Sequence, residues 1–180
     1  MLINRKDSAL LIIDIQERLA RVMKHRDTVI RNSKILINAA HFLKVPILAT
    51  VQYPKGLGPL VDELATDLTS DPKVEKIHFN CCEEPHFMER LKELNRRQII
   101  VIGMECHVCV LQTAVSLLDN GFKAHVVRDA VSSRTEENLQ NGLSRMQFYG
   151  IEITNTESIV FELLGEAGTP EFKKLSALIK

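Results

Sequence analysis

The 180-residue chain has no tryptophan, two tyrosines and seven phenylalanines, so its core has to be built from aliphatic side chains. Neither sign of charge is in excess, since 23 Lys and Arg balance 23 Asp and Glu. A zero balance gives no general pull toward phosphate backbones or anionic membranes. No basic stripe runs along the sequence either, so nucleic acid is not an expected partner. Apolar runs stay far below the ~20 residues that a membrane-spanning helix needs, and membrane insertion is not expected. The N-terminal apolar run is broken by Asp14 and precedes no small-residue cleavage site, which reads as a first strand and not a signal peptide. Four cysteines, two of them adjacent (Cys81 and Cys82), do not make a disulfide framework. A reducing, intracellular home is expected, the cytoplasm before the mitochondrion. Internal repeats, low-complexity tracts and linkers are missing too, so residues 1–180 are expected to form a single domain.

What is present is an alternation. Strand-like runs occur at 8–13 ("SALLII"), 45–51 ("VPILATV"), 74–79 ("VEKIHF"), 97–104 ("RQIIVIGM"), 123–131 ("KAHVVRDAV") and 151–157 ("IEITNTE"). Between and after them, helical patterns cover 28–43, 85–94, 107–122, 135–149 and 158–165, with a last helix expected over 169–180. Pro85 suits a first turn, Asn120 and Gly121 stop one helix, and "SSRTEEN" resembles a capping box. Six β–α alternations without a hairpin signal predict an α/β fold, an open parallel sheet covered by helices on both faces.

In such folds chemistry collects beyond the carboxyl ends of the strands, where strand order reverses. Three sets of residues fall on that edge. Asp14 closes the first strand, either as a helix cap or as a site residue. "GMECHVC", residues 103–109, carries strand four into the next helix and places Cys109 near a helix start. Unpaired N–H groups and the helix dipole there favour a thiolate, although a buried, inert cysteine is the ordinary alternative. Lys76 lies inside an alternating strand, where a solvated face is the usual reading. A zinc knuckle would need two further ligands from Cys81, Cys82, His78 and His107, and a thioredoxin-like Cys-x-x-Cys pair of Cys106 and Cys109 is a third possibility.

"LLIIDIQERL", "QYPKGLG", "EKIHFNC", "GMECHVCVLQTA", "VVRDAVSSRTEEN" and "TESIVFELLG" occur in the order found in the isochorismatase-like cysteine hydrolases, which the chain resembles from about Ser8 to beyond Gly165. The resemblance implies a three-layer, Rossmann-like fold with a six-stranded parallel sheet in the order 3-2-1-4-5-6. It implies a catalytic triad of Asp14, Lys76 and Cys109, with Cys106 a bystander. It also implies a cis peptide at Met104 and Glu105, and an oxyanion hole from the N–H groups of Glu105 and Cys109. Gln52, Tyr53, Phe79 and His107 are candidates for the substrate pocket. The activity implied is thiol-dependent hydrolysis of a C–N bond in a small amide-like molecule, through a thioester.

No cofactor or metal is implied: the Asp-x-His pair with which nicotinamidases of the superfamily hold a metal is absent from "TVQYP". Members that hydrolyse isochorismate lack the cysteine, so Cys109 argues against that reaction. Val51 stands where similar proteins often carry Glu. A small-molecule substrate and a homo-oligomer, dimer or larger, are the expected partners. The competing readings are a non-catalytic binding or scaffold protein with this fold, and a thiol redox protein.

Overall fold

The aliphatic runs become the strands of one sheet. In the computed structural model, which describes residues 2–179, these are β1 (Ser8–Ile13), β2 (Ile47–Gln52), β3 (Lys73–Lys76), β4 (Gln98–Met104), β5 (Lys123–Ser132) and β6 (Glu152–Thr154). They lie in the order β3-β2-β1-β4-β5-β6, all parallel. Both the parallel architecture and the order agree with expectation. Every residue of β1, β2 and β4 is buried, as a sheet covered on both faces requires.

Successive residues of a strand point to opposite faces, and the core divides accordingly. Leu10 and Ile12 of β1 join one apolar cluster, while Ala9, Leu11 and Ile13 join the other. The first is covered by α2 (Arg26–Leu43), α8 (Thr156–Leu164) and α9 (Pro170–Ile179). The second is covered by α5 (Pro85–Glu93), α6 (Leu111–Asp119) and α7 (Glu136–Phe148). Three single-turn helices, α1 (Glu17–Ala20), α3 (Pro54–Leu57) and α4 (Asp62–Ala65), lie in the loops after β1 and β2 and have no periodic signature in the sequence. The expected last helix is α9, Lys180 lying outside the described residues.

Several boundaries differ from expectation, three of them for an evident local reason. β3 ends at Lys76, not at Phe79, because the carbonyls of His78 and Phe79 turn back toward the Lys76 ammonium. β6 stops at Thr154 because the Asn155 side chain already caps α8, accepting a hydrogen bond from Ser158 N at 2.8 Å. The helix expected from residue 107 is instead a π-helical turn over Cys106–Val110 that leads into α6. Such turns are rare, and one here sits where the chain leaves the sheet edge.

Candidate active site

β1 and β4 are neighbours across the reversal of strand order, and the site forms at their carboxyl ends. Asp14, directly after β1, is fully buried and adopts a left-handed backbone (φ 53°), which an aspartate tolerates better than most residues. It caps no helix. Its Oδ1 accepts a hydrogen bond from Thr50 Oγ1 at 2.7 Å, and its Oδ2 lies 2.7 Å from Lys76 Nζ. Both members of this ion pair have side chains with no exposure. Lys76 reaches them from the end of β3, so it is a buried cation and not part of a solvated strand face.

The Lys76 ammonium has further partners: Gln52 Oε1 at 2.5 Å, the His78 carbonyl at 3.1 Å, the Phe79 carbonyl at 3.5 Å and Cys109 Sγ at 3.7 Å. Burial opposes its charge. Asp14, and behind it the sulfurs of Cys81 and Cys109, more than offset that, and the ammonium titrates above its ordinary value. The three side chains singled out in the sequence therefore meet in one buried cluster.

Cys109 lies in the π-helical turn, its sulfur facing this pair. The expectation that a helix start would make it a thiolate is corrected here. Burial first, and then the negative charge of Asp14, push the thiol up to about 12, against the pull of Lys76. At neutral pH the resting sulfur carries its proton, with the Asp14 carboxylate a charged neighbour. Cys106 turns elsewhere. Its sulfur approaches the Leu139 carbonyl of α7 at 3.8 Å, so the two sulfurs of the pair do not converge. All four cysteines are free thiols, and among the described residues no group of three or more His, Cys, Asp or Glu is placed to hold a metal ion.

Two backbone features bring the chain this close. Gly103 pairs with Ile13 where β1 and β4 end, at φ 134°, and a Cβ there would stand 2.0 Å from the Ile13 carbonyl oxygen. The next peptide, Met104–Glu105, is cis. The Glu105 carbonyl then accepts from both Val108 N and Val110 N, at 3.1 and 3.2 Å, closing the turn that carries Cys109. The Glu105 carboxylate reaches the other way and accepts from Arg134 Nε at 3.1 Å and Arg134 N at 3.2 Å, tying the loop after β5 to the same turn.

The proposed pocket residues separate. Tyr53 is half-exposed and, with Ile77 and Glu84, lines a cleft of about 310 Å³ that includes Lys76. Phe79 is also exposed. His107 is half-buried, bonded through Nδ1 to Ser133 Oγ at 2.9 Å, and faces a different recess between α6 and α7. Gln52 is a buried partner of Lys76, with no place in the lining of that cleft. His78 lies past the end of β3, where its ring pairs with Glu84 at 2.8 Å. Thr50 and Gln16 escaped notice in the sequence. Thr50 was the one polar residue within an apolar strand, a signal that could have been used. Gln16, bonded to both the N–H and the carbonyl of Gln52, had none.

Residues 8–158 match the Isochorismatase domain family. The secreted isochorismatase effector Isc1 of Phytophthora sojae (strain P6497) is 39% identical over 179 residues, covering 96% of this chain and 84% of its own. Among solved structures, the MAR1 ribonuclease of Caenorhabditis elegans is 38% identical with a TM-score of 0.93, covering 99% of this chain and 92% of that one. YcaC from Pseudomonas aeruginosa, solved with hexane-2,5-diol and covalent acrylamide, is 25% identical with a TM-score of 0.92, covering 98% and 91%. With a family match over most of its length and relatives this similar, the chain belongs to the isochorismatase family.

Proposed function

We propose that the protein is a cysteine-dependent hydrolase that opens a C–N bond of a small amide-like substrate through a thioester on Cys109. The observation that carries this reading is the approach of Lys76 Nζ to both Asp14 Oδ2, at 2.7 Å, and Cys109 Sγ, at 3.7 Å, inside a buried cluster. Family membership supports hydrolase chemistry, and the covalent acrylamide in a structural relative, an electrophile that captures nucleophiles through its alkene, supports a reactive nucleophile in a protein of this fold.

The sulfur is a thiol at rest, so its proton leaves as the bond to carbon forms. Asp14 takes that proton, while Lys76 holds the negative charge that moves from carboxylate to sulfur. The N–H groups of Glu105 and Cys109, at the two ends of the turn, are the donors proposed for the oxyanion. Collapse of the tetrahedral adduct expels the amine, which receives the proton from Asp14, and leaves the acyl group on sulfur. Water, deprotonated by Asp14, then attacks the thioester. The carboxylic acid departs and the proton returns to Cys109.

The test is incubation with a panel of small amides, with RNA included because the nematode relative is described as a ribonuclease. Intact mass is recorded at early times. An acyl increment on Cys109, and a loss of roughly 10^4-fold in turnover in Cys109→Ala, are expected. Turnover of any substrate that survives this substitution overturns the proposal.

A further inference from the structure

A lysine ammonium has three N–H donors and no acceptor. Around Lys76 five groups compete for them, the Phe79 carbonyl at 3.5 Å standing at the limit of hydrogen-bond range. Asp14 Oδ2 at 2.7 Å, Gln52 Oε1 at 2.5 Å and the His78 carbonyl at 3.1 Å lie within ordinary hydrogen-bond range, and Cys109 Sγ stands at 3.7 Å. The Gln52 carboxamide cannot turn away at no cost, because its Nε2 donates to the Ile77 carbonyl at 2.7 Å. Its backbone is bracketed as well. Gln52 N donates to Gln16 Oε1 at 2.7 Å, and Gln16 Nε2 donates to the Gln52 carbonyl at 3.0 Å. Gln16 in turn is fully buried and holds the Gly58 carbonyl at 2.7 Å.

From this donor count we infer that Gln52 is a positioning residue: with the His78 carbonyl it engages two of the three Lys76 donors, leaving one to switch between Asp14 and Cys109. The inference rests on the hydrolase reading above and deepens it. When the S–H bond breaks and its proton passes to Asp14, the carboxylate loses its charge and the sulfur gains one. The single uncommitted N–H of Lys76 follows the charge, while the other two keep the nitrogen in place. No charge enters or leaves the cluster, because Gln52 is neutral. A carboxylate at position 52 would instead compete with the sulfur for the ammonium.

The charged and titratable groups acting on this ammonium are Asp14 after β1, and Cys81 and Cys109 from the segments after β3 and β4; Asp14 and Lys76 act on Cys109. Because the reactive pair, protonated Asp14 with ionised Cys109, has the same proton count as the resting pair, its population does not depend on pH over the neutral range. Alkylation of Cys109 is therefore expected to be flat across the neutral range, where an isolated thiol below its pKa gains roughly tenfold per unit.

The experiment measures iodoacetamide labelling of Cys109 against pH by peptide mass, with thermal midpoints taken in parallel, in the wild type and in Gln52→Glu, Gln52→Met and Lys76→Met. Gln52→Glu, nearly isosteric, is expected to lower the flat rate roughly tenfold or more. Gln52→Met removes one of the acceptors that hold the nitrogen but adds no competing charge, and is expected to label more slowly than the wild type, with a loss several-fold smaller than that of Gln52→Glu. Equal losses in both Gln52 variants, as a packing role would give, or a Gln52→Glu rate within about twofold of wild type, overturn the inference. If Lys76→Met slows labelling while Gln52→Glu does not, only the inference about Gln52 falls. If Lys76→Met leaves labelling unchanged, the activated sulfur of the hydrolase reading falls with it.

Discussion

At Gly103 the strands β1 and β4 approach too closely for any side chain. A methyl group would meet the Ile13 carbonyl oxygen at 2.0 Å and its carbon at 2.7 Å, both backbone atoms that cannot swing aside, and the φ of 134° is one that L-residues rarely adopt. Both penalties act together in Gly103→Ala. The substitution is expected to cost roughly 3–5 kcal/mol, which in a chain of this size lowers the thermal midpoint by about 10 °C or more. A shift of only a degree or two in a calorimetric scan would show that the two strand ends can separate freely. The neighbouring cluster tolerates little such freedom. Asp14 and Lys76 are both buried, 2.7 Å apart, so each charge faces the other and not solvent. Removing one leaves an uncompensated ion, which is why Lys76→Met has to be read with its thermal midpoint beside it.

Elements were easier to foresee than their ends. The runs of Ile, Leu and Val at 8–13 and 97–104 allow no other use than a strand buried on both faces, and the sheet follows from them. The site was visible because Asp14 and Cys109 fall where such strands finish. Tertiary pairing decided the remainder. Periodicity carried residues 77–79 into β3, yet the chain bends there because an ammonium buried two residues earlier draws in their carbonyls. Gln52 was a candidate only for the pocket, and the fold alone could show that Lys76 ends beside it. The π-helical turn likewise has no sequence period of its own. Its position depends on α7, where Gly142 lets the helix backbone come within reach of the Cys106 and His107 backbone; a Cβ there would lie 3.0 Å from His107 N and Cα. In Gly142→Ala, helix propensity gains up to about 1 kcal/mol, while the turn has to give by a few tenths of an ångström. Cys109 lies two residues beyond His107, and reaction rates are steep in such displacements. The expected outcome is a thermal midpoint within a few degrees of wild type together with a several-fold loss in Cys109 labelling. A rate equal to wild type would show that the turn is positioned without α7.

Across the whole molecule the two ends of the sheet are built differently. The carboxyl ends of β1, β3 and β4 gather charges that satisfy one another, whereas the start of β5 holds His125 almost fully buried, neither ring nitrogen in a hydrogen bond among the described residues. Its Nδ1 lies 3.4 Å from Glu152 Oε2 of β6. Burial lowers the tendency of this ring to take a proton, Lys123 adds to that, and the carboxylates of Glu152 and Glu162 offset it only in part. The folded-state value therefore lies below the ordinary 6.5. Above about pH 6.5 the ring is neutral in folded and unfolded chains alike and contributes no pH dependence. As pH falls through that value, the unfolded chain binds a proton that the folded one refuses, so stability declines until the folded ring itself titrates. This window lies above the range in which ordinary carboxylates protonate, which separates the histidine from general acid denaturation. Urea midpoints measured at about pH 7.5 and 5.5 are expected to fall in the wild type, and to fall less in His125→Phe, which keeps a ring in the space but cannot be protonated. If both proteins lose the same stability between those two pH values, the acid sensitivity resides elsewhere in the chain and the buried ring at the start of β5 is thermodynamically silent.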